Sequence, residues 1–364
     1  MNKIQLFTAA AIIAALTTSC GSTKTYMETF APEESALNLV KITDESSNTV
    51  LAGTTGNFQA AKSAYGGLGA SLLWGIRGTA GSYGSDFGRS TMGVFADKRF
   101  AWNTNRLLAL SPDGKKLAYA TRMNKQDNIM VRNTTSQSIA TQRTFRNVNS
   151  FGWGNDNRLY FADFVSPNMF ICSVNAEAGS MMDQITSGSV VDKDPVFNSE
   201  TNQLFFVRVA NDGPSIWCVN RNDGTLTSCA RGYSPCLIPG NPNAFYCVRN
   251  TDIGRSEIWY VDFQKGQEAL ILSDVNHSFT NPTLSPDGKW LAVMGNSESS
   301  ISKQTNLDIY VVRTDGTRLT QLTYHPANDT NPVWAKDGRS IYFISSRANK
   351  DEKYNVWRMN FNLE

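Results

Sequence analysis

From Asn105 onward one unit recurs along the chain, and this recurrence limits the fold more than any other feature of the sequence. An apolar strand runs into a turn rich in Pro, Asp, Asn and Gly, an aromatic-rich strand follows, and a polar loop leads to a third strand and a fourth. Three copies are clear, at Leu107–Tyr119, Asn281–Val293 and Asn331–Phe343, and three are degenerate, at Phe151–Phe161, Pro195–Phe206 and Pro235–Tyr246. Turn centres fall near Gly114, Asn157, Asn202, Asn243, Gly288 and Gly338. The spacing, roughly 40 to 50 residues, is the period of four-stranded propeller blades. Six copies predict an all-β chain folded as a six-bladed β-propeller of four-stranded antiparallel blades.

Local chemistry agrees with the period. In Pro-Asp-Gly the proline presets φ and the glycine accepts positive φ, so the flanking apolar runs fold back as a hairpin. Third strands are read at Asn128–Arg132, Ser215–Val219, Glu257–Asp262, Asp308–Val312 and Val356–Met359, each rich in β-branched and aromatic residues. No segment after the N-terminal stretch carries a helical period. One blade cannot bury both its faces, so six must stack around an axis. The last blade stops three strands in, at Trp357–Phe361, which leaves an open edge. Leu37–Thr43 followed by Asp44–Asn48 resembles the fourth strand and exit loop of the fifth blade, Arg318–Thr323 followed by Tyr324–Asn328, and is predicted to complete blade six.

The N-terminus has the layout of a secretory signal: Lys3, a mostly apolar run from Ile4 to Leu16, then Thr17-Thr18-Ser19 before Cys20. That run is too short to span a bilayer, which takes about 20 apolar residues. Leu16–Cys20 resembles the bacterial lipobox, whose cysteine is lipidated and becomes the new N-terminus; Thr17 stands where that pattern prefers an aliphatic residue. The alternative is an ordinary secreted chain in which Cys20 is incidental. The expected division is a signal peptide at 1–19, a lipidated tether at 20–36, a closing strand with a Gly-rich insertion at 37–100 and the propeller at 101–364. Glycines between Ala52 and Gly93 form no phosphate-binding pattern, and this stretch reads either as a lid or as a disordered insertion.

The repeats resemble those of the TolB-type propellers, which join a short strand to Ser-Pro-Asp-Gly and an aromatic-rich strand, over residues 101 to 364. The resemblance implies one of two roles, a periplasmic protein-binding module of the cell envelope or a propeller placed before a serine peptidase. The mixed α/β domain ahead of the propeller in TolB itself is not read here. No Gly-x-Ser-x-Gly elbow occurs, so the peptidase role is not carried over.

Residues for chemistry are few. His277 and His325 are the only histidines, at matching positions in loops between blades, and read either as metal ligands or as solvated loop residues. No metal site and no cofactor is expected. The aspartates of Ser285–Trp290 and its relatives do not fit a sialidase Asp-box and read as turn formers. Residues leading into the first strands, Asn105, Arg106, Asn149, Asp194, Ser234, Asn281 and Asn331, are expected to ring the mouth of the central channel. Such a polar ring suits a peptide or a loop of a partner; equally, Asn281 and Asn331 before proline serve simply as turn caps. Cys218 and Cys229 flank the turn Asn220–Gly224 symmetrically, and Cys236 and Cys247 flank Pro239–Pro242, so one or two cross-strand bridges are candidates with Cys172 free. Their connectivity stays open.

The formal charge is +2, and +1 once Lys3 leaves with the signal, too little to draw the chain onto nucleic acid. The expectation is therefore a lipoprotein held in the envelope through Cys20, at the outer membrane facing the periplasm, that binds an envelope protein without catalysis. The alternative is a carbohydrate- or peptide-processing enzyme built on the same disc.

Overall fold

Short polar side chains shape the turns on which every blade depends. Ser111 Oγ donates to Asp113 Oδ1 at 2.6 Å, and Asp113 accepts the Lys115 N–H at 3.0 Å. Ser285 and Asp287 repeat this at 2.6 Å and, to Lys289, 3.1 Å. Asp337 accepts the Arg339 and Ser340 N–H groups at 2.8 and 2.9 Å. Gly114, Gly288 and Gly338 take φ of +73°, +71° and +65°, and Asn157 and Asn202 take +61° and +53° in the same role. The expected turn centre at Asn243 is corrected. Ile238 pairs with Asn241 across Pro239-Gly240, and Gly240 holds φ +75°. Proline and glycine supply the two central residues of a tight turn, which leaves Asn243 inside the strand Asn241–Asn250.

The structure, a computed structural model, describes residues 31–44, 49–50, 106–123, 126–135, 139–177, 181–210, 212–251, 255–298, 305–348 and 353–362. Cys20, Asn105 and the Gly-rich stretch from Ala52 to Gly93 lie outside these residues.

The hairpins assemble into six antiparallel sheets, the blades of a propeller. Blade two consists of Val148–Trp153, Arg158–Val165, Asn168–Asn175 and Asp183–Gln184. Blade three consists of Asp192–Asn198, Gln203–Ala210, Gly213–Asn220 and Leu226–Arg231. Blade four is Tyr233–Ile238, Asn241–Asn250, Ser256–Asp262 and Gln267–Leu272, and blade five is Phe279–Leu284, Trp290–Glu298, Thr305–Arg313 and Thr320–Gln321. Apolar side chains between neighbouring blades form the core. Tyr160 stacks on Phe197 at 5.0 Å between blades two and three, and Phe205 meets Phe245 edge-on at 6.0 Å between three and four.

Blade six joins the two ends of the chain. Its inner strands are Asp329–Trp334, Ser340–Ser345 and Asn355–Asn360, and its outermost strand is the N-terminal Asn38–Lys41. Asn38 pairs with Asn360 and Lys41 with Trp357, as the sequence leads one to expect. Thr43 shows why this strand fits. In blades one, two and five a threonine just past the fourth strand accepts a third-strand N–H through its hydroxyl: Thr144 from Ile129, Thr186 from Ile171 and Thr323 from Ile309, each at 2.9 Å. Thr43 accepts from Val356 at 2.9 Å in the same way. Thr43→Val leaves that buried N–H without its partner and is expected to lower stability by about 1–3 kcal/mol, read from urea unfolding midpoints.

Blade one departs from the pattern. Its outer strands are Lys116–Met123, Gln126–Asn133 and Thr141–Gln142, but its innermost strand comes in two pieces, Thr49–Val50 and Leu108–Leu110. Val50 stands opposite Thr121, and the Leu107 carbonyl accepts the next N–H, from Ala120, at 3.3 Å. In blade six the matching positions are Asp329 opposite Ser345 and Thr330 opposite Ile344, which are consecutive residues. Residues 51–106 are thus inserted between two adjacent positions of a single strand beside the axis.

Candidate functional site

The innermost strands carry one device that aims side chains at the axis. In blades three to six the strand bulges where two residues oppose one: Asp194-Pro195, Ser234-Pro235, Asn281-Pro282 and Asn331-Pro332. The first residue of each pair has positive φ, 50°, 50°, 50° and 54°. Asn and Asp tolerate this conformation better than most residues, and the bulge turns their side chains out of the regular alternation.

These residues link neighbouring blades around the axis. Asn331 Oδ1 accepts the Leu107 N–H at 2.9 Å, Ser234 Oγ donates to Asn281 Oδ1 at 3.1 Å, and the Asp194 N–H donates to Ser150 Oγ at 2.8 Å. Arg106, half-buried, reaches from blade one to the far side, where Nη2 donates to the carbonyls of Ser234 at 3.1 Å and Pro282 at 3.3 Å. Its N–H faces Asp194 Oδ1 at 3.4 Å. Lys193, 2% exposed, places Nζ 3.4 Å from Asp194 Oδ2. Burial pushes the Lys193 ammonium below its ordinary range despite that carboxylate, and burial likewise lowers Arg106. Arg106 Nε and Asn149 Oδ1 are buried without a hydrogen-bond partner among the described residues.

Of the residues expected at the mouth, the structure brings Arg106, Asp194, Ser234, Asn281 and Asn331 into one linked cluster. Asn149 is buried next to Ser150, which bonds that cluster. Much of the ring's polar capacity is spent between blades, so the asparagines do more than cap turns. Sequence reasoning passed over Lys193; the signal was its place directly before the recurring X-Pro step.

The histidines do not join this cluster. His325 is corrected: it is fully buried, its Nδ1 accepts the Ala327 N–H at 3.0 Å, and its own N–H donates to Glu34 Oε1 at 3.2 Å. The N-terminal segment covers it, which a reading of separate loops does not reveal. His277 Nδ1 lies 2.8 Å from Asp274 Oδ1, and its ring stacks on Phe279 at 6.0 Å. Among the described residues no group of three or more His, Cys, Asp or Glu could hold a metal ion.

Beside His325 lies a buried ionic network that stitches the ring shut. Arg347 Nη1 and Nη2 donate to the two Glu34 carboxylate oxygens at 2.9 and 3.1 Å, and Nη2 also contacts Asp329 Oδ2. Glu34 further accepts the N–H groups of Ala31 and Tyr324 at 3.0 and 2.7 Å. Burial pushes the Asp329 carboxyl up to about 6, against the pull of Arg347. Its folded value exceeds the unfolded one, so its contribution is full below about pH 4 and is lost as pH rises through about 6. From about pH 7.5 to about pH 5 the protein should gain stability relative to Asp329→Asn, and parallel urea midpoints in both proteins would refute this.

The cysteine expectations separate. Cys218 and Cys229 hydrogen-bond one another across adjacent strands. Cys236 pairs in register with Tyr246, so Cys247 falls on the opposite face of its strand, and a Cys236–Cys247 bridge is corrected. A register shift between Leu237 and Ile238, next to the turn, breaks the symmetric count across it. All five described cysteines are free thiols.

A cleft of about 500 Å³ lies at the turn ends of blades five and six, lined by Asp287, Trp290, Lys336, Asp337 and Arg339 among others. Its two carboxylates are occupied with turn N–H groups and do not form a free acid–base pair.

Radial four-stranded sheets around a closed polar axis define a six-bladed β-propeller. Residues 234–362, in blades four to six, match the TolB beta propeller domain family. The repeats of these three blades are of the TolB propeller type. Similar solved structures include one assigned to TolB from Agrobacterium tumefaciens, with 14% identity and TM-score 0.53, covering 71% of this chain and 90% of that one. TolB from Acinetobacter baumannii has 17% identity and TM-score 0.53, covering 63% and 56%. Oligogalacturonate lyase from Vibrio parahaemolyticus has 13% identity and TM-score 0.50, covering 70% and 89%. At these identities the likeness is one of fold.

Proposed function

We propose that the chain is a lipoprotein of the bacterial envelope, held at the periplasmic side of the outer membrane through a lipid on Cys20. Its propeller binds a protein partner at the mouth of the axis and catalyses no reaction. The supporting observation is the chemistry at that mouth: beside Asp194, Ser234 and Pro282, the buried Arg106 Nε has no hydrogen-bond partner among the described residues. That donor suits an acidic side chain or terminal carboxylate on an inserted partner segment. The TolB type of the repeats is consistent with an envelope location.

Crosslinking in intact cells followed by purification from envelope fractions tests both parts. Cys20→Ser should move the protein out of the membrane fraction. Arg106→Gln should remove the main crosslinked partner while Cys20→Ser spares it in vitro. An unchanged partner set in the axis variant would defeat the binding site, and continued membrane association of Cys20→Ser would defeat the anchor.

A further inference from the structure

Blades three and four have outermost strands of six residues, where the fourth strands of blades one, two and five have two. The outer edge of blade three therefore holds more ladder than those, and it contains a thiol pair. Cys218 is on the third strand and 1% exposed; Cys229 is on the edge strand and half-buried. Trp217 pairs with Ser228 and Ile216 with Ala230, so Cys229 is the extra residue of a bulge. Cys229 stands two residues along the edge strand from Thr227, the register partner of Cys218, and its Sγ lies 3.7 Å from the Thr227 carbonyl oxygen. Neither sulfur is bridged.

We infer that Cys218 and Cys229 form a convertible dithiol, oxidised to a cross-strand disulfide by exchange with a disulfide of a thiol–disulfide oxidoreductase. Cys229 is the sulfur that a partner can reach. As a thiolate it attacks the partner's disulfide, forming a mixed disulfide and releasing one partner thiol. The Cys218 sulfur then attacks Cys229 Sγ, breaking the mixed bond and releasing the second partner thiol. Two cysteine thiols and one partner disulfide thus become one internal disulfide and two partner thiols, the two protons leaving with the latter.

The proton of the pair sits on the attacking sulfur and has to move before the exchange begins. The hydrogen bond from Cys229 holds the Cys218 thiol below its ordinary range and pushes Cys229 above it, so the shared proton rests on the outer sulfur. Its transfer to Cys218 exposes the outer thiolate that begins the exchange. The bridge would pin the bulge four residues before the chain enters blade four at Tyr233 through Gly232, whose added Cβ would lie 2.7 Å from the Val248 carbonyl oxygen. Oxidation therefore stiffens the seam between these blades.

Availability of the oxidant rests on the proposed envelope location, whereas the chemistry of the pair does not. The test uses the full-length protein incubated with oxidised glutathione under native conditions, then denatured, alkylated with N-ethylmaleimide and mapped by peptide mass. A Cys218–Cys229 linked peptide is expected, with a melting temperature raised by a few degrees over the reduced protein. Cys229→Ala should abolish both changes, and Cys236→Ala should leave them. Two alkylated thiols at Cys218 and Cys229, or a bridge from either to another cysteine, would overturn the inference on the unmutated protein alone. A bridge that forms in vitro but is missing from cells quenched with acid would count against the envelope location and not against the pair.

Discussion

Arg347→Met is expected to destabilise the protein by about 3–5 kcal/mol, because it strands two buried carboxylates, Glu34 and Asp329, that share one guanidinium. For a chain of this size the loss appears as a melting temperature lower by roughly 10 °C. The fault lies at the closure. Glu34 belongs to the segment that precedes the closing strand Asn38–Lys41, and its carboxylate also holds the N–H groups of Tyr324 and His325 between blades five and six. Combining Arg347→Met with Glu34→Gln and Asp329→Asn removes the stranded charges and should recover most of the loss. If the triple variant is as unstable as the single one, the network matters for packing and not for charge. Deleting residues 21–45 removes both the network and the strand, so a deletion protein as stable as its parent would end the closure account.

Asp194→Ala should have an effect of similar size. Lys193 is buried, and Asp194 is the carboxylate beside its ammonium. Removing it takes a counter-charge from beside a buried cation, a loss of about 3–5 kcal/mol, and places alanine at a φ of +50°, which adds about 1–2 kcal/mol. Lys193→Met with Asp194→Asn keeps an αL-tolerant residue and removes both charges, so it should unfold near the parent's midpoint. Urea unfolding of the three proteins measures these differences.

Much of the fold was legible because it is written in local chemistry repeated at a period. Ser-Pro-Asp-Gly, and Ala-Lys-Asp-Gly in blade six, specify a turn by contacts within five residues, so Gly114, Gly288 and Gly338 could be placed without knowing what surrounds them. Thr43 could be matched to Thr323 because both do the same task two residues beyond a strand. The candidate site was legible in part. Asn281 and Asn331 announce themselves before proline, but their partners, Ser234 Oγ and the Leu107 N–H, lie far along the chain. His325 was misjudged for the same reason, since Glu34, which covers it, comes from the other end of the sequence.

By itself, then, the sequence determined the blade, the number of blades and the strand that closes them, since each follows from turn geometry and alternation over a few residues. The tertiary structure alone decided where residues 51–106 leave and rejoin the ring, which carboxylates share Arg347, how Arg106 spans the axis, and which cysteines meet. Those outcomes depend on register, on bulges that shift one strand by a residue against its neighbour, and on the distance between blades when the ring shuts. Such relations exist only between segments, so no short stretch of the chain contains them.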